Sequence, residues 1–265
     1  MPKPIIPSNF SIKYFNSVTS TNNTACLEAD QGAAAGTVIL AKSQTCGRGR
    51  YGRYWESPAG NLYASILLRP DCPVIVAAQT SLVTSIAVWE TVSTFLPKNC
   101  EVLCKWPNDI LVNQKKISGI LLESQILKND TSNPIIEWLI IGIGINISTY
   151  PRIKSNYKAT SLSKECGLQL NVDKVLSLLL LNMEKMLNLW ANKGMSPIIK
   201  LWISKTCPFG QTLIVESPNG TISGKFNGLN KQGELKIITH NNLEKIISAG
   251  DVHFSSSRKD NASSN

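Results

Sequence analysis

The sequence has only two histidines, His240 and His253, and both lie near its end. Imidazole is a frequent general base in enzymes and a common ligand of protein-bound zinc. The scarcity of histidine therefore argues against a histidine-based catalytic triad, or a histidine-ligated zinc, in the main body of the chain. Chemistry that depends on charge and positioning remains open.

Cysteine is neither abundant nor paired. The seven cysteines are odd in number and scattered, without a C-x-x-C pair, at positions 26, 46, 72, 100, 104, 166 and 207. Disulfide frameworks and structural zinc sites need closely and regularly spaced cysteines. We therefore predict reduced structural thiols, and we assign no metal-binding residue.

Long apolar runs are also missing. No uninterrupted run approaches the ~20 residues that a membrane span needs, and residues 1–7 are too rich in proline for a signal peptide. Of the 265 residues, 43% are hydrophobic and 17% charged, which is typical of a globular protein. We expect a cytoplasmic protein with no membrane partner.

Positive charge is what the sequence has in excess. The net charge is +9, from 27 basic and 18 acidic residues. Such a balance suits nucleic acid, an anionic substrate or an acidic partner. The lysines are spread along the chain, and the densest basic cluster, at residues 48–53, lies in a glycine-rich loop. Charge alone does not choose between these ligands.

Hydrophobic patterning divides the chain into two parts. In the first part it predicts strands at 37–41, 61–68, 101–105, 117–123 and 135–147, and helices at 74–95 and 172–190. After Pro208 it predicts short strands at 212–216, 221–226, 234–239 and 243–248, separated by Asn-Gly, Gln-Gly and Asn-Asn turns. We predict a catalytic domain at 1–207, a small β domain at 208–256 and a disordered tail at 257–265. Because the helix at 172–190 completes a sizeable apolar set, we expect the first domain to fold without the second.

The glycine-rich loop has a misleading spacing. Residues 47–52 satisfy G-x-G-x-x-G and follow a predicted strand. A dinucleotide fingerprint must open a helix, however, and here a turn-rich stretch leads into another strand. Arg48 and Arg50 instead bring fixed charge and bidentate donors to a phosphate or carboxylate. The pattern favours a mobile clamp over an anionic intermediate, and no P-loop sequence is present.

Two further clusters carry possible chemistry. In Lys-Trp-Pro-Asn-Asp at 105–109, Lys105 ends a predicted strand, which suits a fixed point charge but also an exposed lysine before a hairpin. In Gly-Ile-Gly-Ile-Asn at 142–146, the glycines would let a ligand ring approach the backbone, and Asn146 could bond a base edge. That cluster also fits a plain strand end with a turn asparagine.

Taken together, these clusters closely resemble the biotin protein ligases. The resemblance rests on Ser-Thr-Asn at 20–22, the run 44–55, Lys-Trp-Pro-Asn-Asp at 105–109, Lys-Ile-Ser-Gly-Ile-Leu at 116–121 and the run 142–147, in the family's order and spacing. It extends from about residue 12 to residue 254. It implies an α+β fold, with a mixed sheet packed with helices in a class II synthetase-like catalytic domain, followed by a small SH3-like β-barrel.

The resemblance also implies an activity. Such ligases join biotin to ATP, with Mg²⁺ assisting, to give biotinyl-5′-AMP and pyrophosphate. They then transfer biotin to a lysine of a biotin carboxyl carrier protein or domain. Bifunctional members carry a DNA-binding domain before this core. Only about ten residues precede the first core strand here, so we expect a monofunctional ligase that does not bind DNA, as a monomer or weak homodimer.

Site residues follow from the resemblance position by position. The catalytic residues implied are Lys105, between the biotin carboxylate and the α-phosphate, and Arg50, in the loop that closes over the intermediate. The biotin-binding residues implied are Ser20, Thr21, Asn22, Gln44, Gly47, Arg48, Gly49, Arg50 and Lys105. The ATP-binding residues implied are Arg53, Trp55, Asn108, Lys116 and Asn146.

Two alternatives stay open. A lipoate or octanoate ligase or transferase shares the catalytic fold, although the Gly-Arg-Gly-Arg loop and the C-terminal β module favour biotin. A nucleic-acid-binding module would use Arg48, Arg50 and Arg53, and it would bind random DNA with a strong dependence on salt.

Overall fold

A computed structural model of the chain describes residues 10–127, 134–151, 158–217 and 220–254. The predicted disordered tail at 257–265 lies outside these residues, as does the N-terminal segment weighed above as a signal peptide. Within them the chain forms a seven-stranded mixed sheet with helices on both faces, and a separate five-stranded antiparallel sheet near the C-terminus. The predicted α+β class is confirmed.

The large sheet brings together strands that are far apart in sequence. Its strands are β1 (Ser11–Val18), β2 (Thr37–Gln44), β3 (Leu62–Leu68), β4 (Val102–Lys105), β5 (Asp109–Val112), β6 (Lys115–Ile126) and β7 (Ile136–Ile145). Their order is β1-β2-β3-β7-β6-β5-β4. Only β1 and β2 pair in parallel, and the other neighbours are antiparallel. Strands β3, β7 and β6 therefore lie in the middle of the sheet, where they form the floor of the site described below.

Six helices accompany this sheet: α1 (Thr21–Asp30), α2 (Val74–Ala77), α3 (Thr80–Phe95), α4 (Leu162–Cys166), α5 (Val172–Lys193) and α6 (Met195–Ile203). The long helices α3 and α5 pack against each other on one face of the sheet. On the other face, Ala25 and Ala29 of α1 cover Ile39, Leu67 and Ile140. The rest of that face is left for the site.

The predicted helix at 74–95 is two helices in the structure. Pro73 precedes α2, and at the junction the amides of Gln79 and Leu82 donate to carbonyls three residues back rather than four. The segment Val74–Thr94 is long and apolar enough to cross a membrane by length and composition, which the search for uninterrupted apolar runs missed. Its most apolar window is 61% buried inside the protein, as expected of a core helix.

The second sheet is built from β8 (Thr212–Ser217), β9 (Gly220–Leu229), β10 (Leu235–Ile238), β11 (Glu244–Ile247) and β12 (Asp251–Phe254). Its order is β11-β10-β9-β8-β12, with antiparallel pairing throughout, consistent with an SH3-like module. Patterning predicted the first four strands and missed β12, which pairs with β8 and brings Asp251 to the site.

The two sheets share one hydrophobic core. Leu213 and Phe226 of the small sheet belong to the same buried cluster as Trp106 and Trp202 of the first part. The Trp106 indole donates to the carbonyl of Gly233 at 3.1 Å. The small module thus packs directly beside the strand that carries Lys105. Whether the first part folds on its own, as expected from the sequence, therefore depends on how much stability this packing contributes.

Candidate active site

A cavity of about 390 Å³ opens on the face of the large sheet that α1 leaves uncovered. Strands β3, β6 and β7 form its floor, the loop 47–56 and the β4–β5 hairpin form its walls, and Asp251 and Val252 of the small module complete it. Of the site residues predicted from sequence, all except Gly47 line this cavity. Gly47 lies behind the wall, where a Cβ atom would come within 2.4 Å of the Trp55 carbonyl oxygen.

The start of α1 supplies the polar end of the cavity. The backbone N–H of Thr21 donates to Gln44 Oε1 at 2.8 Å, and Gln44 Nε2 donates to Ser57 Oγ at 2.9 Å. Ser65, on the floor, lies 2.8 Å from the Thr21 hydroxyl. Ser20 is buried at the N-cap of α1, where its carbonyl accepts from the Thr24 N–H. These groups form a compact set of donors and acceptors in an otherwise apolar wall.

Asn22 is fixed by the protein itself. Its Oδ1 accepts from Ser65 Oγ at 2.6 Å, and its Nδ2 donates to Glu123 Oε2 at 2.6 Å. Gly142 makes room for it, because a Cβ atom there would lie 2.2 Å from Asn22 Oδ1. The amide of Asn22 is therefore engaged at both ends before any ligand enters.

The glycine-rich loop is tied down at two places. Arg48 Nη2 donates to both carboxylate oxygens of Glu123, at 2.9 and 3.2 Å. Arg50 Nη1 donates to Asp251 Oδ1 at 3.2 Å, and Arg53 pairs with the other oxygen of Asp251. Between these anchors the chain turns through Tyr51, whose φ of 56° is left-handed, and forms only a short 3₁₀ turn. No helix follows the loop, so the dinucleotide interpretation is rejected on structure as well as sequence.

Lys105 is buried in the wall opposite α1. It ends the edge strand β4, and the hairpin to β5 sets it opposite Asp109, with Nζ 3.6 Å from Asp109 Oδ2. Lys116 Nζ lies 2.6 Å from the other oxygen of Asp109. Burial lowers the pKa of Lys105, Asp109 opposes this by raising it, and the nearby charge of Lys116 lowers it further. One carboxylate therefore holds two ammonium groups at the cavity.

The aromatic end of the cavity surrounds Trp55. Its indole lies where two strand glycines leave space, since a Cβ atom at Gly144 would come within 2.7 Å of the ring and one at Gly119 within 3.2 Å. Lys116 Nζ lies 5.3 Å from the ring centroid. In this structure the glycines accommodate a tryptophan, whereas the sequence suggested a direct approach of a ligand ring.

Asn146 closes β7 beside this ring. Its Nδ2 donates to the Thr160 carbonyl at 3.0 Å, and its own N–H donates to the Ile117 carbonyl. Within the described ranges, its buried Oδ1 has no hydrogen-bond partner, and neither has the buried Nε1 of Trp55. Buried polar atoms are normally satisfied, so these two orphaned groups mark where a polar ligand could bind. Asn108 Nδ2 is already used, donating to the Ile120 carbonyl at 2.6 Å.

Four acidic residues at or beside the cavity were missed by the sequence reasoning: Glu56, Asp109 and Asp251 line it, and Glu123 binds Asn22 and Arg48. Asp109 was quoted in its motif but given no role, although a carboxylate four residues after a lysine across a hairpin is a local signal. Glu123 and Asp251 had no such signal. Glu123 lies 75 residues from Arg48, and Asp251 lies 201 and 198 residues from Arg50 and Arg53. Only the folded chain brings these residues together.

Four of the seven cysteines have thiols that are unsuited to nucleophilic attack. All seven are free. Burial raises the pKa of the thiols of Cys26, Cys72 and Cys207 to about 11 and that of Cys104 to about 12. A thiol with so high a pKa is protonated at neutral pH and is a poor nucleophile.

The chain is similar to known ligases along most of its length. Residues 14–146 match the Biotin/lipoate A/B protein ligase family, and residues 209–255 match the Biotin protein ligase C terminal domain. Over 240 residues, it is 36% identical to the bifunctional ligase/repressor BirA of Bacillus subtilis, covering 89% of this chain and 72% of that protein. It is 29% identical to a biotin–[acetyl-CoA-carboxylase] ligase of Paracoccus denitrificans, covering 89% of this chain and 98% of that one.

Solved structures agree with these sequence matches. The fold superimposes on the biotin protein ligase from Aquifex aeolicus in complex with biotin and ATP with a TM-score of 0.76. That alignment covers 92% of this chain and 98% of the other, at 29% sequence identity.

Proposed function

This chain belongs to the biotin protein ligase family, and from that membership we propose that it activates biotin with ATP and transfers it to a lysine of a biotin carboxyl carrier protein. The first step would give biotinyl-5′-AMP and pyrophosphate. In the second step, the carrier lysine would attack the acyl carbon and release AMP. The observation that carries this proposal is one cavity with a polar end, a cationic middle and an aromatic end.

The polar end suits the ureido group of biotin. That group has two N–H donors and one carbonyl, and burying them without partners would cost about 1–3 kcal/mol each. Ser20, Thr21 and Gln44 offer a hydroxyl, a hydroxyl and an amide within one hydrogen-bonded set. We assign Ser20, Thr21, Asn22 and Gln44 to the biotin pocket, where the amides of Asn22 and Gln44 are each held at both ends by the protein.

Lys105 is the proposed catalytic cation. A biotin carboxylate must approach the α-phosphate of ATP although both are negatively charged, and charge on the phosphate oxygens is stabilised best by a fixed cation in a site shielded from water. Lys105 is buried and held by Asp109, so its ammonium needs little reorganisation when the anions arrive. Adenylation then depends on positioning and charge more than on a general base.

The loop 47–54 is the proposed cover of the intermediate. Biotinyl-5′-AMP is a mixed anhydride that water hydrolyses, so a loop that excludes water protects it until the carrier lysine arrives. The chain turns through Tyr51 and Gly52, while Arg48 and Arg50 fix the two halves of the loop to different parts of the protein.

The aromatic end is the proposed nucleotide subsite. The orphaned Oδ1 of Asn146 could accept a hydrogen bond from the exocyclic amine of adenine, and Trp55 could cover its ring. Lys116 and Arg53 would contact the phosphates, while Asn108 supports the wall between them.

We propose that Mg²⁺ arrives with ATP. Among the described residues, no group of three His, Cys, Asp or Glu side chains could hold a metal ion. Nucleotide-bound Mg²⁺ takes most of its ligands from phosphate and water and needs only one or two carboxylates. Asp109, Asp251 and Glu56 are the carboxylates that line the cavity and would be available to hold it, and when bound it would neutralise phosphate charge. We place the reaction in the cytoplasm, where ATP is available and thiols stay reduced.

Incubation of the protein with biotin, Mg-ATP and a carrier domain tests this proposal. We expect biotin-dependent release of pyrophosphate, and a mass increase of the carrier that corresponds to one biotinyl group. Parallel reactions with lipoate and octanoate identify the acid. Pyrophosphate release with either of those acids, and none with biotin, would contradict the assignment.

A further inference from the structure

Glu123 is a half-buried carboxylate of β6 that faces the same side of the sheet as the cavity. In the strand register it lies opposite Ile140 of β7, next to the position where Gly142 makes room for Asn22. It touches neither the ammonium groups of the site nor the small module, among the contacts that the described residues make. Its carboxylate instead binds Arg48 and Asn22.

The contact with Arg48 joins a loop to a strand. Arg48 Nη2 reaches both oxygens of Glu123, at 2.9 and 3.2 Å. The two side chains are 39% and 32% exposed, and an ion pair so accessible to water contributes little to overall stability. Its effect is geometric, because it ties the loop to strand β6, which forms part of the cavity floor.

The contact with Asn22 joins the same carboxylate to the proposed biotin pocket. Glu123 Oε2 accepts from Asn22 Nδ2 at 2.6 Å, and this bond sets the Oδ1 of Asn22 towards Ser65. Ser65 lies 2.8 Å from the Thr21 hydroxyl. The arrangement of the polar groups at the start of α1 therefore depends on the acceptor that Glu123 provides.

We propose that Glu123 is a positioning residue that couples the glycine-rich loop to the biotin pocket, by holding Arg48 and Asn22 at the same time. This inference rests on the proposed function, because it takes the polar end of the cavity as the place where biotin binds. It predicts that Glu123 affects biotin binding and retention of the adenylate, and leaves the chemical step nearly unchanged.

The variant Glu123→Gln tests the coupling. It keeps the size of the side chain, removes its charge, and puts an amide donor against either Arg48 or Asn22. We expect the KM for biotin and the release rate of bound biotinyl-5′-AMP each to rise about tenfold, as the loss of one charge-assisted hydrogen bond would cause. The kcat of pyrophosphate release should stay within about twofold. The matched control is Glu28→Gln, which removes the 2.6 Å ion pair with Lys13 outside the cavity and should change none of these values.

A second variant identifies the route. Arg48→Gln leaves the bond between Asn22 and Glu123 in place and should speed adenylate release without the full rise in the KM for biotin. In that background, Glu123→Gln should add little to adenylate release. A Glu123→Gln protein that melts like the parent and retains adenylate normally would overturn the inference, as would fully additive effects of the two substitutions on release. If the parent protein forms no biotinyl-5′-AMP, the proposed function fails instead.

Discussion

At the scale of single residues, the site depends on one carboxylate between two lysines. Asp109 lies 3.6 Å from Lys105 Nζ and 2.6 Å from Lys116 Nζ. Burial of Lys105 disfavours its charged form, which lowers its pKa, and Asp109 partly compensates. Asp109 therefore favours the charged form of a buried lysine at the place where we propose that a cation acts.

The alkaline limit of the reaction should report on this pair. If Lys105 is the catalytic cation proposed above, adenylation needs its protonated form, and the rate should fall as the pH rises through its pKa, which burial holds below the usual value for lysine. In Asp109→Asn the raising influence is lost, the pKa falls further, and the alkaline limb of kcat should move to lower pH. Pyrophosphate release measured from about pH 7 to pH 10 checks this. A limb that stays in place or moves to higher pH would remove Asp109 from this role.

Removing the charged group of Lys105 should lower the rate of adenylate formation more than a shift of its pKa does. Lys105→Ala removes a cation aimed at the reacting anions, which should cost roughly 3 kcal/mol in the transition state, or about a hundredfold in the rate of adenylate formation. The control is Lys98→Ala, at an exposed lysine beyond the end of α3, which should leave the rate unchanged. Near-normal adenylate formation by a folded Lys105→Ala protein would exclude the catalytic role.

At the scale of elements, the sequence predicted most of the helices and strands whose apolar residues recur at a regular spacing. It missed helices that lack such a spacing. Helix α5 repeats its apolar residues regularly, and the structure extends the prediction only to Lys193. Helix α1 was missed because threonine and asparagine form helices poorly and only small alanines face the core. Helix α6 was missed as well, and it carries Pro197 in its first turn, where proline is tolerated.

The site shows the same limit. Motifs of consecutive residues pointed to most cavity positions of the loop and of the β4–β5 hairpin, although Glu56 and Asp109 were given no role. The partners that hold those positions, Glu123 and Asp251, are isolated acidic residues in ordinary strands. Nothing local distinguishes them, because their role comes only from long-range packing.

The loop has two anchors, Arg48 on Glu123 and Arg50 on Asp251, and the second can be removed by itself. Arg50→Gly removes the charge that binds Asp251 and the Gly250 carbonyl. If the loop holds the adenylate, this variant should still form it, release it early, and increase the biotinylation of bystander lysines on an unrelated protein. Trapping of released adenylate with hydroxylamine measures the effect. Asp251→Asn should release adenylate early as well if the anchor matters, whereas unchanged retention in Arg50→Gly would contradict the loop's role.

At the scale of the whole molecule, the small β module is part of the enzyme's core as well as of its site. Phe226 and Leu213 are buried in the same cluster as Trp202, and Asp251 binds both Arg50 and Arg53 of the loop. The module thus connects the stability of the chain with the order of the loop over the cavity. A boundary drawn at residue 207 from patterning alone separates residues that pack together.

A substitution inside the module should therefore destabilise the distant part of the chain. All six tryptophans precede residue 208. The fluorescence of Trp55, Trp89, Trp138 and Trp190 therefore reports on the first part, while Trp106 and Trp202 also sense the module against which they pack. We expect Phe226→Ala, on β9, to lower the unfolding free energy seen by this fluorescence by about 3–5 kcal/mol, the usual cost of emptying a buried aromatic site. Ile246→Ala, at an exposed position of β11, should change it by less than about 0.5 kcal/mol. If fluorescence instead shows an unshifted transition in Phe226→Ala while the circular dichroism of the small sheet is lost earlier, the two parts unfold independently. The catalytic part would then carry its own stability, and the module would act on the reaction only through contacts such as that of Asp251 with the loop.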